Sequence, residues 1–188
     1  MELGDVMSTK VLPTDEELMA LPKDGFKREL LNGEIVMSPA GSKHGYLIMR
    51  FAGVFAVHVH QRGLGKVFDG QTGFRMKSRD VLIPDISFVS QSGIAQLPEI
   101  PEGFFEGSPD LAVEFRSPGE TPKRFQEKLN QYFENNTVLA WAMDSGRRTV
   151  SVYRGLDRIR IVKEGDELTG EDVVPGFAIP VIKIFEGV

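Results

Sequence analysis

The chain has 188 residues, enough for one domain of ordinary size with a full core. A hydrophobic fraction of 41% and a charged fraction of 26% are those of a globular protein in water, and no apolar run approaches the length of a membrane span. The net charge of −5 argues against tight nonspecific binding to nucleic acid, and the lack of cysteine removes disulfides, thiolate catalysis and cysteine zinc sites. The opening "MELGDVMSTK" has no basic start followed by an apolar stretch, so a cytoplasmic protein is expected. The charge is uneven. Residues 147–163 carry six Arg/Lys against one Asp, and residues 116–128 carry four against two Glu. Such segments are either solvated faces or a basic strip on an acidic body.

Residues 1–12 read as a flexible N-terminus. "PTDEELMALP" then predicts a short helix, with Thr14 and Glu17 as a capping box and Pro22 as its end. "FKRELLNGEIVMSP" predicts a β-hairpin, because Asn32-Gly33 is the dipeptide that a type I′ turn prefers. "SKHGYLIMRFAGVFAVHVHQRG" predicts a long buried helix, with Leu47, Phe51, Val54 and Phe55 inward and Gly63 as its stop, although its valines leave a strand open. "KVFDGQTGFRM" and "VLIPDISFVS" read as strands. "QSGIAQLPEIPEGFFEGSP" lacks periodicity and reads as a loop. "DLAVEFR" reads as a strand with Leu111, Val113 and Phe115 on one face and Ala112, Glu114 and Arg116 on the other. "TPKRFQEKLNQYFENN" predicts a second helix capped by Thr121, with Pro122 at its first position and Phe125, Leu129, Tyr132 and Phe133 as its apolar stripe. "TVLAWAM" reads as a central strand covered on both faces, "RTVSVYRG" and "RIRIVKEG" as a hairpin, and "PGFAIPVIKIF" as a terminal extended segment. There is no repeat or linker, so the whole chain, 1–188, reads as one α/β domain.

Asp85 and Glu114 stand out because carboxylates inside apolar strands are costly unless something compensates them. One reading is a Glu114–Arg116 salt bridge at a sheet edge. The other is a pair of acids on neighbouring strands that holds a hard divalent cation near a phosphodiester, with a protein cation to stabilise developing charge. Arg116 or Lys128 could supply that cation. Lys128 borders the apolar stripe of its helix, where an ordinary snorkelling lysine also sits. His58 and His60 point roughly opposite ways on a helix and cannot chelate one ion.

The order of "LLNGEIVMSPAGSKH", "IPDISFVS", "PDLAVEFRSPGET", "KLNQYFENN", "AWAMD" and "RTVSVYR" resembles the large Uma-type family of putative restriction endonucleases, in the PD-(D/E)XK nuclease superfamily. The resemblance runs from about Pro13 to Phe185. It implies a central mixed β-sheet flanked by helices, with additional β-hairpins. It also implies an endonuclease that hydrolyses DNA phosphodiester bonds with Mg²⁺ or Mn²⁺. Asp85 and Glu114 take the positions of its metal-binding acids, and Lys128 that of a helical lysine. By the same resemblance Glu34 becomes a candidate third acid and His44 a phosphate donor near a helix start. Each has a plain alternative, a solvent-facing hairpin residue and a local cap. Three features depart from the family pattern: Arg116 in place of an apolar residue, Asn135-Asn136 in place of a glycine turn, and no inward second acid on the helix.

The sequence therefore predicts that Lys128 orients the attacking water while Arg116 holds Glu114 or the phosphate. Lys128→Ala is then expected to abolish cleavage with folding intact, and Arg116→Ala to lose stability as well. Arg158 and Arg160 are expected to position substrate through phosphate contacts. Cutting both strands of a duplex with one site per chain favours a symmetric dimer. The competing reading is a nuclease fold without catalysis that binds nucleic acid or a protein partner, since a fold does not guarantee its chemistry.

Overall fold

The structure, a computed structural model, describes residues 12–188 except 23, 25, 40 and 118, and only the backbone of Pro39. The expected flexible N-terminus, apart from Leu12, lies outside the described residues. Thr14 accepts the Glu17 N–H and the Glu17 carboxylate accepts that of Thr14, so the capping box starts α1 (Asp15–Met19) as expected. The hairpin of β1 (Phe26–Leu31) and β2 (Glu34–Pro39) turns through Asn32 at φ 53° and Gly33 at φ 68°, the type I′ conformation.

The long segment after it is helical, α2 (Ser42–Gln61). Its buried line is Leu47, Phe51, Phe55 and Val59, whereas Val54, expected inward, is half-exposed. The next stretch does not form one strand. β3 (Gly65–Asp69) stops where the Asp69 carboxylate accepts the Gln71 N–H, and β4 (Phe74–Arg75) joins a different sheet. β5 (Val81–Leu82) and β6 (Ile86–Ser90) follow. The segment read as loop contains α3 (Gln91–Ile94) and β7 (Phe105–Glu106), both too short to leave a periodic signal.

β8 (Leu111–Phe115) is buried along its length. Thr121 caps α4 (Pro122–Glu134) by accepting the Arg124 N–H. That helix ends with Asn136 at φ 75°, the Thr137 N–H on the Tyr132 carbonyl and the Asn136 N–H on the Phe133 carbonyl. This is a Schellman closure, so asparagine does here what glycine commonly does. β9 (Leu139–Asp144) is central, and β10 (Thr149–Tyr153) pairs with β11 (Ile159–Val162) as the expected hairpin. β12 (Glu167–Thr169) pairs with β13 (Ala178–Pro180), and α5 (Val181–Ile184) closes the chain where an extended segment was expected.

The main sheet has the order β11-β10-β9-β8-β6-β3, antiparallel except for the parallel pair β8 and β9 that α4 connects. One face is covered by α2 through Phe51 and Phe55, which meet Trp141 edge to face. The other presents the small residues Ala112, Ala140 and Ala142, and Phe125, Leu129 and Tyr132 of α4 pack there. The mixed sheet flanked by helices that the sequence led us to expect is therefore present. A second sheet, β2-β1-β5-β4-β7, lies beside it. Among the described residues, no helix is long and apolar enough to cross a membrane.

Asp80, just before β5, ties the turn of the hairpin to the neighbouring strand of the same sheet. It is 2% exposed, and its two oxygens accept the N–H groups of Asn32 and Gly33 at 2.9 Å each. Asp80→Ala would strand both donors at a turn that sets the register of β1. A loss of about 1–3 kcal/mol is expected, read as a lower urea midpoint at unchanged slope.

Candidate active site

Alternation along β8 puts Leu111, Val113 and Phe115 into the cluster under α2 and Ala112 into the cluster under α4. Glu114 therefore turns toward α4. β6 runs antiparallel to β8 with Ile86 opposite Val113, so Asp85, one residue before β6, stands beside Glu114. Both acids are buried, at 3% and 6% exposure. The two acids that sequence reasoning paired are thus brought together at the ends of adjacent strands.

Each carboxylate has its own partners. Asp85 Oδ1 takes the Lys27 ammonium at 2.6 Å. Its Oδ2 accepts the Phe115 N–H at 2.8 Å and lies 3.5 Å from His44 Nε2. Glu114 Oε1 receives the Lys128 ammonium and the Tyr132 hydroxyl, both at 2.7 Å. Both contacts fall on Oε1, and among the described residues no hydrogen bond falls on Oε2. Lys128 also reaches Glu29 Oε2 at 3.1 Å, and Glu29 Oε1 accepts the Ile83 N–H. Lys128 is 3% exposed and Glu29 5%.

Sequence reasoning missed Glu29, Lys27 and Tyr132. Lys27, Glu29 and Leu31 share one face of β1, so alternation signalled a common direction. What the sequence did not show is that this face turns toward α4 and the main sheet. Glu34, proposed as the third acid, shares that hairpin face, paired with Leu31 at the turn end, and is exposed. The hairpin residue that reaches Lys128 is Glu29. His44 is where the resemblance implied, in the first turn of α2.

Arg116 behaves differently from expectation. Its Nε is 3.7 Å from Glu120 Oε2, and its guanidinium lies 4.7 Å from the centre of the Phe125 ring. Glu114 is partnered by Lys128 and Tyr132, so Arg116 neither quenches nor clamps it. The structural weights of the two cations are the reverse of those predicted. Removing Lys128 would leave two buried carboxylates without their cation, a loss of about 3–5 kcal/mol. Removing Arg116 would cost much less. The basic segment 147–163 is also largely paired: Arg148 with Glu164, Arg154 with Glu171 and Asp172, Arg160 with Glu171. Arg158 and Arg160 lie on or beside the edge strand β11, three strand spacings or about 14 Å from β8. His58 bonds the Pro175 carbonyl, and His60 is exposed.

Burial opposes the Lys128 ammonium, but Glu114, Glu29 and Glu120 outweigh it and hold the lysine protonated well above its ordinary value. Burial likewise opposes charge on Asp85, and there Lys27 and His44 prevail, keeping the carboxyl below its ordinary value. Glu114 goes the other way. Burial, with the charges of Asp85 and Glu29 against it, pushes its carboxyl up to about 7 despite Lys128. A folded carboxyl that titrates above the unfolded 4.5 favours the fold at acid pH, and that contribution is lost as pH rises through about 7. Asp85 has the opposite sign, since its contribution is lost as pH falls below the unfolded 3.8. Relative to Glu114→Gln, the wild type should lose on the order of 1–3 kcal/mol of stability between about pH 5 and pH 8. Chemical denaturation of both proteins across that range measures it.

Among curated proteins none matches the chain. A crystal structure of a putative nuclease from Anabaena variabilis ATCC 29413 shares the fold, with a TM-score of 0.80 and 20% identity over 92% of this chain and 97% of that one. The sequence pattern of the Uma2 family, described as putative restriction endonuclease, matches residues 15–182. That span takes in Glu29, Asp85, Glu114 and Lys128, and the chain belongs to this family.

Proposed function

We propose that the chain is a divalent-metal-dependent endonuclease that hydrolyses phosphodiester bonds in DNA. The observation that carries this reading is the pair Asp85 and Glu114, side by side on adjacent strands, with Glu114 Oε2 left for a ligand and a buried lysine behind it. The donor set fits Mg²⁺ or Mn²⁺. Among the described residues, no group of three or more His, Cys, Asp or Glu side chains could hold a metal ion. Two carboxylate oxygens suit a hard ion that keeps most of its water. When bound, such an ion polarises the phosphoryl oxygen and lowers the pKa of a bound water.

The chain's own residues supply the rest. Asp85 is held in its ionised form and oriented by the Phe115 N–H. Lys128 is fixed from two sides and kept protonated, so it is a stationary positive charge and no base. A preorganised charge of that kind stabilises charge developing on the phosphoryl group without moving. Lys27 and His44, partly exposed at 16% and 26% of their side chains, form the mouth through which a phosphate would enter. Arg116, also partly exposed and not spent on Glu114, is the remaining guanidinium for a phosphate oxygen. Glu34 stays outside this set. Arg158 and Arg160 would act as distant positioning contacts, and cutting both strands would take two chains. Acting on cellular DNA would place the protein in the cytoplasm.

Supercoiled, single-stranded and branched DNA should be cut in Mg²⁺ or Mn²⁺, and Asp85→Asn and Glu114→Gln should each lose at least a hundredfold in rate. Mg²⁺ should bind the wild type in the micromolar-to-millimolar range by calorimetry and not the Glu114→Ala protein. Cleavage of no DNA or RNA, together with no metal binding, would hand the site to the non-catalytic reading, a nuclease fold that binds nucleic acid or a partner.

A further inference from the structure

Lys27 stands at the mouth of the site and also occupies one of its two paired acids. It enters the site from β1, in the second sheet, and places its ammonium 2.6 Å from Asp85 Oδ1. Oδ2 accepts the fixed Phe115 N–H, so Oδ1 is the Asp85 oxygen whose partner is a movable side chain. The two buried lysines differ in how they are held. Lys128 is shared by Glu114 and Glu29 and is 4% exposed in its side chain. Among the described residues Lys27 makes one ion-pair contact, to Asp85, with Glu29 and Glu114 acting on it from farther away, and its side chain is 16% exposed.

We propose that Lys27 is a built-in stand-in for the divalent cation: its ammonium neutralises Asp85 in the resting chain, leaves Oδ1 when the ion arrives, and then points at a phosphate oxygen of the substrate. The proposal rests on the metal-dependent reading of the same site. Three buried carboxylates, Asp85, Glu114 and Glu29, face two ammonium groups, Lys27 and Lys128. With all five ionised, the cluster is one negative charge in excess. Replacing Lys27 by a divalent ion brings it to neutrality. A flexible four-carbon stem with one contact can withdraw toward solvent, as a helix-fixed lysine with two contacts cannot. The ammonium so released stays at the mouth of the site, next to His44, where a phosphate would pass. The neighbouring carboxylates raise the affinity of Lys27 for its proton over the opposing effect of burial, so it remains a cation throughout.

Removing the ammonium should strengthen metal binding while weakening the metal-free protein. Calorimetry with Mn²⁺ alone, without DNA, should show Lys27→Met binding at least tenfold tighter than wild type. The variant should melt lower than wild type in chelator and recover most of that difference in millimolar Mn²⁺. An affinity equal to or weaker than that of wild type overturns this proposal and leaves the metal reading standing. No Mn²⁺ binding by either protein overturns both. The same question can be put to the wild type, should Lys27→Met not fold. With ¹⁵N-lysine labelling at low temperature, the Lys27 ammonium should give a resonance protected from exchange in chelator and lose it on addition of Mg²⁺, while that of Lys128 persists. A Lys27 resonance unchanged at saturating Mg²⁺ overturns the proposal.

Discussion

The Lys128 ammonium is the point on which the structure around the site depends. It sits on α4, yet its partners come from two different sheets, Glu114 from β8 and Glu29 from β1. One buried charge therefore fixes three elements relative to one another. Burying it would be prohibitive without those carboxylates, and burying them would be prohibitive without it. The apolar contacts of Phe125, Leu129 and Tyr132 set how closely α4 approaches, and the ammonium sets its rotation. The alanines beneath, Ala112, Ala140 and Ala142, let the helix come near enough for the lysine to reach.

The same cluster holds more carboxylates than ammonium groups. Asp85, Glu114 and Glu29 exceed Lys27 and Lys128 by one charge, and burial first, then the charges of Asp85 and Glu29, push the Glu114 carboxyl up to about 7. The remaining acid nearby, Glu120, is also raised by burial, with Lys128 and Arg116 only partly offsetting it. A site built only for stability would have matched its charges or used apolar residues of similar size. On the metal-dependent reading proposed above, a bound cation would offset that excess.

Much of the fold was legible because its signals are local. Asn32-Gly33 demanded the type I′ turn, and Thr121-Pro122 opened α4. The alternation of Leu111, Val113 and Phe115 sorted β8 into a core face and a site face. Asp85 and Glu114 were legible as carboxylates in apolar strands, and Lys128 as a lysine beside an apolar stripe. The rest was set by distant contacts. β4 looked continuous with β3, but two residues of strand take their identity from the sheet they join. Glu29 and Lys27 carried no local signal, because nothing within β1 shows that its face meets the main sheet and α4. Glu34 looked equivalent to Glu29, and five residues along the hairpin separate a buried partner of Lys128 from an exposed position at the turn end.

Proximity in sequence misled in one further way. Arg116, two residues from Glu114 and on the expected face, was the natural candidate to pair with it. β8 ends at Phe115, however, and although the Arg116 N–H still reaches the Met143 carbonyl, its guanidinium goes to Glu120 and the face of Phe125. The basic segment 147–163 repeats the lesson at larger scale. Its excess charge is real in the sequence, but Glu164, Glu171 and Asp172 lie against it from beyond its end. Charge counted along a window is therefore a weak guide to the field at a surface, because the opposing groups arrive from elsewhere in the chain. What distinguishes the site from that hairpin is burial. Exposed arginines beside glutamates are screened and worth little, whereas Lys128, beside Glu29 and Glu114, acts where water screens it least.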